Sequence, residues 1–213
     1  MEKLVGDVVQ YMNKREGRSV IGISGHGASG KTTFAEQLVE RLGTSVDYLN
    51  TDPYIISSAV RKYATIAYEY KDAQHQFKMT ACHPDAHHTL ALERDVVQIR
   101  EGIPFKTLDT HYMPSTLITS EANVSIVEGM SVAFTNLDLY DILIYFYTDE
   151  ATELARRGVR DVSERGSTYE FLDQSHHQRR IQYELFMHPY REHFDIVVRN
   201  SDEDWVVEKH DVR

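Results

Sequence analysis

Eight consecutive residues, Gly25-His26-Gly27-Ala28-Ser29-Gly30-Lys31-Thr32, carry the spacing G-x-x-x-x-G-K-[ST]. The glycines let the backbone turn tightly, so that successive amide groups point inward as an anion nest. A helix beginning near Lys31 adds the positive end of its dipole to the same place. Lys31, expected to face solvent, has the length to reach the β- and γ-phosphates of a nucleotide, and the Thr32 hydroxyl can coordinate magnesium. Gly25, Gly27, Ala28, Ser29, Gly30, Lys31, Thr32 and Thr33 are therefore the candidate nucleotide-binding residues. The flanks agree with the motif: Ser19 to Ser24 is short, apolar and β-branched, as a buried strand should be, and a helix pattern follows.

Three further features could complete a phosphoryl-transfer site. Asp52 follows the strand-like run Val46 to Leu49 and can orient or deprotonate an acceptor hydroxyl; next to Pro53 it also suits a plain turn. Glu128 follows the strand-like run Asn123 to Val127 and can join a magnesium shell or orient its water; it could equally be a solvated strand end. Arg156, Arg157, Arg160 and Arg165 could form a solvated helix face or cover the phosphates as a closing lid, with Gly158 as a hinge. The histidine and cysteine pairs Cys82-His83 and His87-His88 lack the spacing of common zinc motifs.

These residues need a scaffold that brings strand ends together. Residues 2–16 read as an amphipathic helix stopped at Gly17, and residues 31–42 as a helix with Phe34, Leu38 and Leu42 on one face. Residues 57–70 look weakly helical, 71–86 irregular, and 87–101 helical up to Gly102. Residues 141–147 are the most strand-like run, 149–165 and 169–187 read as helices with a break near Gly166, and 194–198 as a last strand. The aromatic group Tyr63, Tyr68, Tyr70 and Phe77 reads as core packing in preference to an acceptor pocket. Strands alternating with helices predict a parallel sheet covered on both faces, with ligands at the carboxyl ends of its strands.

Composition sets the outer bounds. The 213 residues suit a single domain over 1–213, and 41% hydrophobic with 26% charged residues is an ordinary globular balance. A net charge of -10 argues against a nonspecific nucleic-acid footprint. The single cysteine, Cys82, rules out an internal disulfide framework and suits a reducing cytoplasm. No run approaches the roughly 20 apolar residues of a membrane span, and the N-terminus lacks the pattern of a signal peptide. The expected partner is a small-molecule acceptor, with neither nucleic acid nor membrane; a homo-oligomer is compatible with all of this.

Five blocks, in order, resemble the phosphoribulokinase/uridine kinase family of P-loop kinases over roughly residues 18–200. They are Gly22 to Gly25 running through Gly30-Lys31-Thr32-Thr33; Asn50-Thr51-Asp52-Pro53-Tyr54; His83-Pro84-Asp85-Ala86; Ile126-Val127-Glu128-Gly129; and the arginine-rich run from Arg156 to Gly166. No D-x-x-G or N-K-x-D pair of a GTPase and no LSGGQ occurs. The resemblance implies an α/β, P-loop three-layer α/β/α fold with a mainly parallel sheet and a helical arginine-rich lid within about 149–187. It implies transfer of the γ-phosphoryl of ATP, with Mg2+, to a hydroxyl of a nucleoside or related metabolite. Lys31, Asp52, Arg157 and Arg160 would be catalytic, Thr32 and Glu128 would hold the metal, and Tyr54, His83, Asp109 and Arg165 would bind the acceptor. A non-nucleoside acceptor of pantothenate or sugar-phosphate type, or a non-catalytic ATP-binding regulator, are the alternatives. The acceptor half departs from the family: Ala81-Cys82 stands where Phe-Asp precedes His-Pro-Asp-Ala, and Leu108 to Tyr112 breaks the aromatic segment around Asp109. A thiol is a weak partner for ribose hydroxyls, so poor use of uridine is expected.

Overall fold

A computed structural model describes residues 1–43, 46–163, 169–202 and 204–212; of residues 159–163 and 169–175 it describes the backbone alone. The elements are α1 (Glu2–Asn13), β1 (Ser19–Gly25), α2 (Lys31–Leu42), β2 (Val46–Asn50), α3 (Ser58–Arg61), β3 (Thr65–Tyr70), β4 (Ala73–Lys78) and α4 (Thr89–Glu101). There follow β5 (Phe105–Lys106), β6 (Leu117–Ile118), β7 (Val124–Glu128), β8 (Ile142–Tyr147), α5 (Glu150–Ser163), α6 (Tyr169–Phe186), β9 (Ile196–Asn200) and β10 (Trp205–His210).

The central sheet runs β10-β9-β8-β1-β7-β2. Its four pairings from β9 to β2 are parallel, and β10 is added antiparallel at the edge. Successive side chains of a strand point to opposite faces, and the apolar residues sort accordingly. Val20, Leu143, Tyr145 and Val197 meet α4 through Leu92, Val96 and Ile99. Ile21, Ile23, Ile144 and Phe146 meet α1 and α2 through Leu4, Val8, Phe34 and Leu38. The result is an α/β/α three-layer fold, in which α1 finds a role the sequence left open: it seals the α2 face of the sheet.

The register aligns the carboxyl ends of the strands. Ile23 of β1 pairs with Glu128 of β7, and Asn50 of β2 pairs with the same Glu128. On the other side of β1, Gly25 pairs with Phe146 of β8. Strands added after β1 thus go to both sides of it, and the crevice at that divergence is where open α/β sheets bind ligands.

The segment 57–86 differs from the sequence reading. Only Ser58–Arg61 is helical, and β3 and β4 form an antiparallel hairpin from Thr65↔Lys78 to Tyr70↔Ala73. Its two-residue turn, Lys71-Asp72, has φ of +50 and +62°, the conformation that matches strand twist and normally calls for Asn-Gly. Without a glycine the turn signal is weak, and with one face of the hairpin in solvent the apolar alternation is weak too. Of the aromatic group assigned to the core, Tyr68 is buried but Tyr63 is exposed. The hairpin rests on α6: Tyr68 donates to Gln178 Oε1 at 2.7 Å, and Gln182 accepts from the Thr80 amide at 2.8 Å and donates to Lys78 O at 3.0 Å. Strand β10 was also not foreseen. The break expected near Gly166 falls within 164–168, outside the described residues.

Candidate active site

The loop between β1 and α2 is shaped by two close approaches. Gly25 has φ +137°, and a Cβ there would lie 1.8 Å from the carbonyl oxygen of Phe146. Gly30 has φ +95°, and a Cβ there would lie 2.2 Å from Asn200 Nδ2. That amide is the brace of the loop, donating to Ser29 O at 2.9 Å from the end of β9. Ser29 is buried and donates to His26 O at 2.8 Å. Arg156 of α5 adds a second brace, donating to Ala28 O at 3.3 Å and Asn200 O at 3.0 Å, and pairing with Asp202 at 2.7 Å.

His26 is wholly buried behind the loop. Its Nε2 accepts the Thr148 amide at 3.0 Å, so Nδ1 carries the proton and donates it to Gly27 O at 2.9 Å. Burial pushes its pKa below the usual histidine value, against the opposing pull of Glu153, whose Oε2 lies 3.5 Å away. Glu153 is itself buried and gathers Arg157, Arg179 and Arg180 at 3.5, 4.0 and 3.2 Å. Burial would raise the Glu153 pKa, but hydrogen bonding from His26 and the charge of the arginines together hold it well below the carboxylate range. One acid thereby ties α5 and α6 to the back of the loop.

In front of the loop lies a cleft of about 880 Å³, lined by Gly27, Lys31, Thr32, Asp52, Glu128 and Arg156 among others. Ala28, Gly30 and Thr33 also reach it, whereas Gly25 and Ser29 support it from behind. Lys31 corrects the sequence reading: it is buried, its Nζ donating to His26 O at 3.1 Å and standing 3.8 Å from Glu128 Oε1. The helix start and the loop fold over its stem. Glu128 Oε2 accepts from Thr32 at 3.3 Å and from Tyr48 at 2.9 Å, and burial followed by this carboxylate pushes the Tyr48 pKa far up. A hydroxyl and a carboxylate so close beside a phosphate nest form a hard oxygen pair of the kind magnesium accepts. Asp52 is held by its own turn, its amide donating to Asn50 Oδ1 at 2.8 Å and its carbonyl accepting from Tyr112 at 2.8 Å. Its carboxylate is exposed to the cleft.

The predicted acceptor residues do not gather there. Tyr54 is fully buried, its hydroxyl bonded to Asp95 beneath α4, because the short helical turn after Asp52 rotates it into the core. His83 caps its own turn, accepting the Asp85 amide at 3.2 Å, and its ring meets Phe186. Asp109 is exposed and accepts the Ser115 amide at 3.2 Å within its loop. Arg157 faces a side pocket of about 160 Å³ that adjoins the cleft. The side chain of Arg160 and the whole of Arg165 lie outside the described residues. The cleft adds residues the sequence reading passed over: Arg61, Arg179, Asn50 and Asn200. Asn50 sat inside a quoted block; Arg61 and Arg179 left no local signal, since only the hairpin and α6 bring them to the cleft.

A nucleotide cradle, an oxygen pair for a cation and a cleft carboxylate, set at the strand ends of a parallel three-layer fold, define a P-loop kinase. The sequence profile of the Phosphoribulokinase / Uridine kinase family matches residues 20–206, and the chain belongs to that family. It is 31% identical over 194 residues to a uridine kinase of Macrococcus caseolyticus, covering 84% of this chain and 87% of that relative. It is 29% identical over 192 residues to uridine-cytidine kinase 2-B of Danio rerio, covering 86% and 74%. Among solved structures, phosphoribulokinase from Rhodobacter spheroides superposes with a TM-score of 0.60 at 16% identity, covering 87% of this chain and 71% of that one; this likeness concerns the fold. The chain is accordingly a uridine kinase-like, ATP-dependent phosphotransferase. Among the described residues, no helix is long and apolar enough to cross a membrane.

Proposed function

We propose that this chain, acting as one P-loop kinase domain in the cytoplasm, moves the γ-phosphoryl group of magnesium-bound ATP to a hydroxyl of a small metabolite beside Asp52. The observation that carries this reading is the convergence of Lys31, Thr32, Glu128 and Asp52 on one cleft. The loop amides and Lys31 bind the phosphates and offset the charge that spreads over the transferring group. Thr32 and Glu128 hold magnesium, which when bound neutralises phosphate charge. Asp52 orients the acceptor hydroxyl and takes its proton as the new oxygen–phosphorus bond forms and the bond to the β-phosphate oxygen breaks. Arg157 and Arg160, and the segment that follows, close over the site and exclude water.

The names of the relatives suggest a nucleoside acceptor. The non-nucleoside reading has support of its own. Cys82, at the position where the family aspartate would meet a ribose, is fully buried, and burial raises its thiol pKa. Tyr54 and Asp109 are likewise turned away from the cleft. The test is ADP release from ATP with a set of nucleosides and small hydroxylated metabolites, for wild type and Lys31→Met. Acceptor-dependent release that falls by roughly 10²–10³ in the variant is the expected outcome; ATP binding with no acceptor-dependent release would favour a regulator instead.

A further inference from the structure

The cleft runs past Asp52 along residues 55–58, and then opens into the side pocket through Ser58, Arg61, Ala81 and Arg179, which line both spaces. Phe77 of β4 and Leu154 of α5 wall this pocket. Every titratable residue lining it among the described residues is a base: Arg61, Lys78, Arg157, His176 and Arg179. No carboxylate or side-chain amide lines it among the described residues, so side-chain acceptors for a ribose hydroxyl or a base N–H reduce to Ser58, Thr80 and one ring nitrogen of His176.

Two of these cations, Arg61 and Arg179, are poorly compensated among the described residues. Arg61 is fixed at its root by donating to Ile56 O at 2.7 Å and Met79 O at 2.9 Å, two neutral acceptors, and no carboxylate pairs with it among the described residues. Desolvation, then the nearby Arg179 guanidinium, lowers its pKa, as expected for two cations facing each other in a half-buried space. Arg179 has only a 4.0 Å share of Glu153, an acid also claimed by Arg157 and Arg180, and its buried Nε has no hydrogen-bond acceptor. His176 is 6% exposed; among the described residues neither ring nitrogen is hydrogen-bonded, and Glu150 Oε1 lies 3.9 Å from its Nε2. Buried donors without acceptors are costly, and an anion placed among them would satisfy several at once.

We propose that this side pocket is the acceptor's anion subsite: it grips one phosphate or carboxylate group of a hydroxylated metabolite between Arg61 and Arg179, with the hydroxyl to be phosphorylated at Asp52. The inference rests on the phosphotransfer reading and deepens it by naming the substrate class. It also fits an acceptor half in which Cys82 is buried and arginines of α3 and α6 face the pocket. The two arginines enter from separate elements, so the subsite exists only when α6 is docked against the hairpin.

The test keeps the nucleotide's own phosphates apart from the proposed site. The protein is saturated with magnesium and the nonhydrolysable analogue AMPPNP, then titrated calorimetrically with inorganic phosphate and, separately, with acetate. Wild type should bind at least one of them at a single site, and the stronger of the two names the group. Arg61→Met should weaken that binding tenfold or more while AMPPNP affinity shifts by less than threefold. Arg179→Met should do the same, and it serves where loss of the Arg61 hydrogen bonds prevents folding, because the Arg179 Nε has no acceptor to abandon. No saturable anion binding to the loaded wild type, or equal binding by the folded variants, overturns the subsite. Efficient uridine phosphorylation that survives Arg61→Met also overturns it and leaves the kinase reading standing. Failure of AMPPNP itself to bind brings down the kinase reading.

Discussion

Asp52 and Glu128 lie on one cleft and are held quite differently. Glu128 is buried, within 3.8 Å of Lys31 and bonded by Thr32 and Tyr48, so it is preorganised before any ligand arrives. Asp52 is exposed and fixed only through its backbone, which leaves its carboxylate free to meet an acceptor. A positioned base contributes roughly 10²–10⁴ in rate, equivalent to about 3–5 kcal/mol of barrier. Phosphoryl transfer is loose and asks for limited base help, so Asp52→Asn should lower kcat toward the lower end of that range, with ATP affinity little changed. Steady-state kinetics beside nucleotide titration check this; a loss under threefold would reduce Asp52 to a turn residue.

At the scale of elements, Glu153 joins α5, α6 and the phosphate loop. Removing its charge leaves three guanidiniums without their shared partner, and breaking a buried pair typically costs about 3–5 kcal/mol. Glu153→Gln should therefore lower the urea midpoint, and it should weaken nucleotide binding because His26 and the loop lose their backing. The folded pKa of Glu153 is depressed below its ordinary 4.5, so the stability it contributes is complete above that pH and fades as pH falls through and below it. The gap between wild type and variant should accordingly close in acid; a gap that stays constant down to pH 3 would mean that the carboxylate charge is not what holds the helices.

For the molecule as a whole, buried neutral histidines set the acid limit. His87 is buried, its Nε2 donating to Ala81 O at 2.9 Å and its Nδ1 2.8 Å from the Ser131 hydroxyl. Burial lowers its pKa from 6.5 to about 4. The unfolded chain then binds the proton more readily than the folded one, and stability is full above pH 6.5 and declines as pH falls from 6.5 toward 4. For this residue the decline amounts to roughly 3 kcal/mol. His188 is lowered to about 4 and His26 is lowered also, each mainly by burial, so both add to the same trend. Urea unfolding at pH 7, 6, 5 and 4 should show falling stability, with a shallower fall in His87→Gln; parallel slopes for the two proteins would exclude His87 as a contributor.

The sequence by itself determined what is local. The phosphate loop was legible because one run of eight residues fixes its own turn, its nest and the helix that follows. The strand-end acids were legible because the strand-like runs Val46 to Leu49 and Asn123 to Val127 stop just before Asp52 and Glu128. Tertiary structure alone decided which way Tyr54 points, since a single helical turn is enough to exchange cleft for core. It also decided the hairpin, whose Lys71-Asp72 turn lacks the glycine that would betray it and whose partner, α6, lies about a hundred residues along the chain. The arginines of the side pocket belong to the same class. Arg61 and Arg179 are 118 positions apart, and they face one pocket only because packing on α6 brings them together.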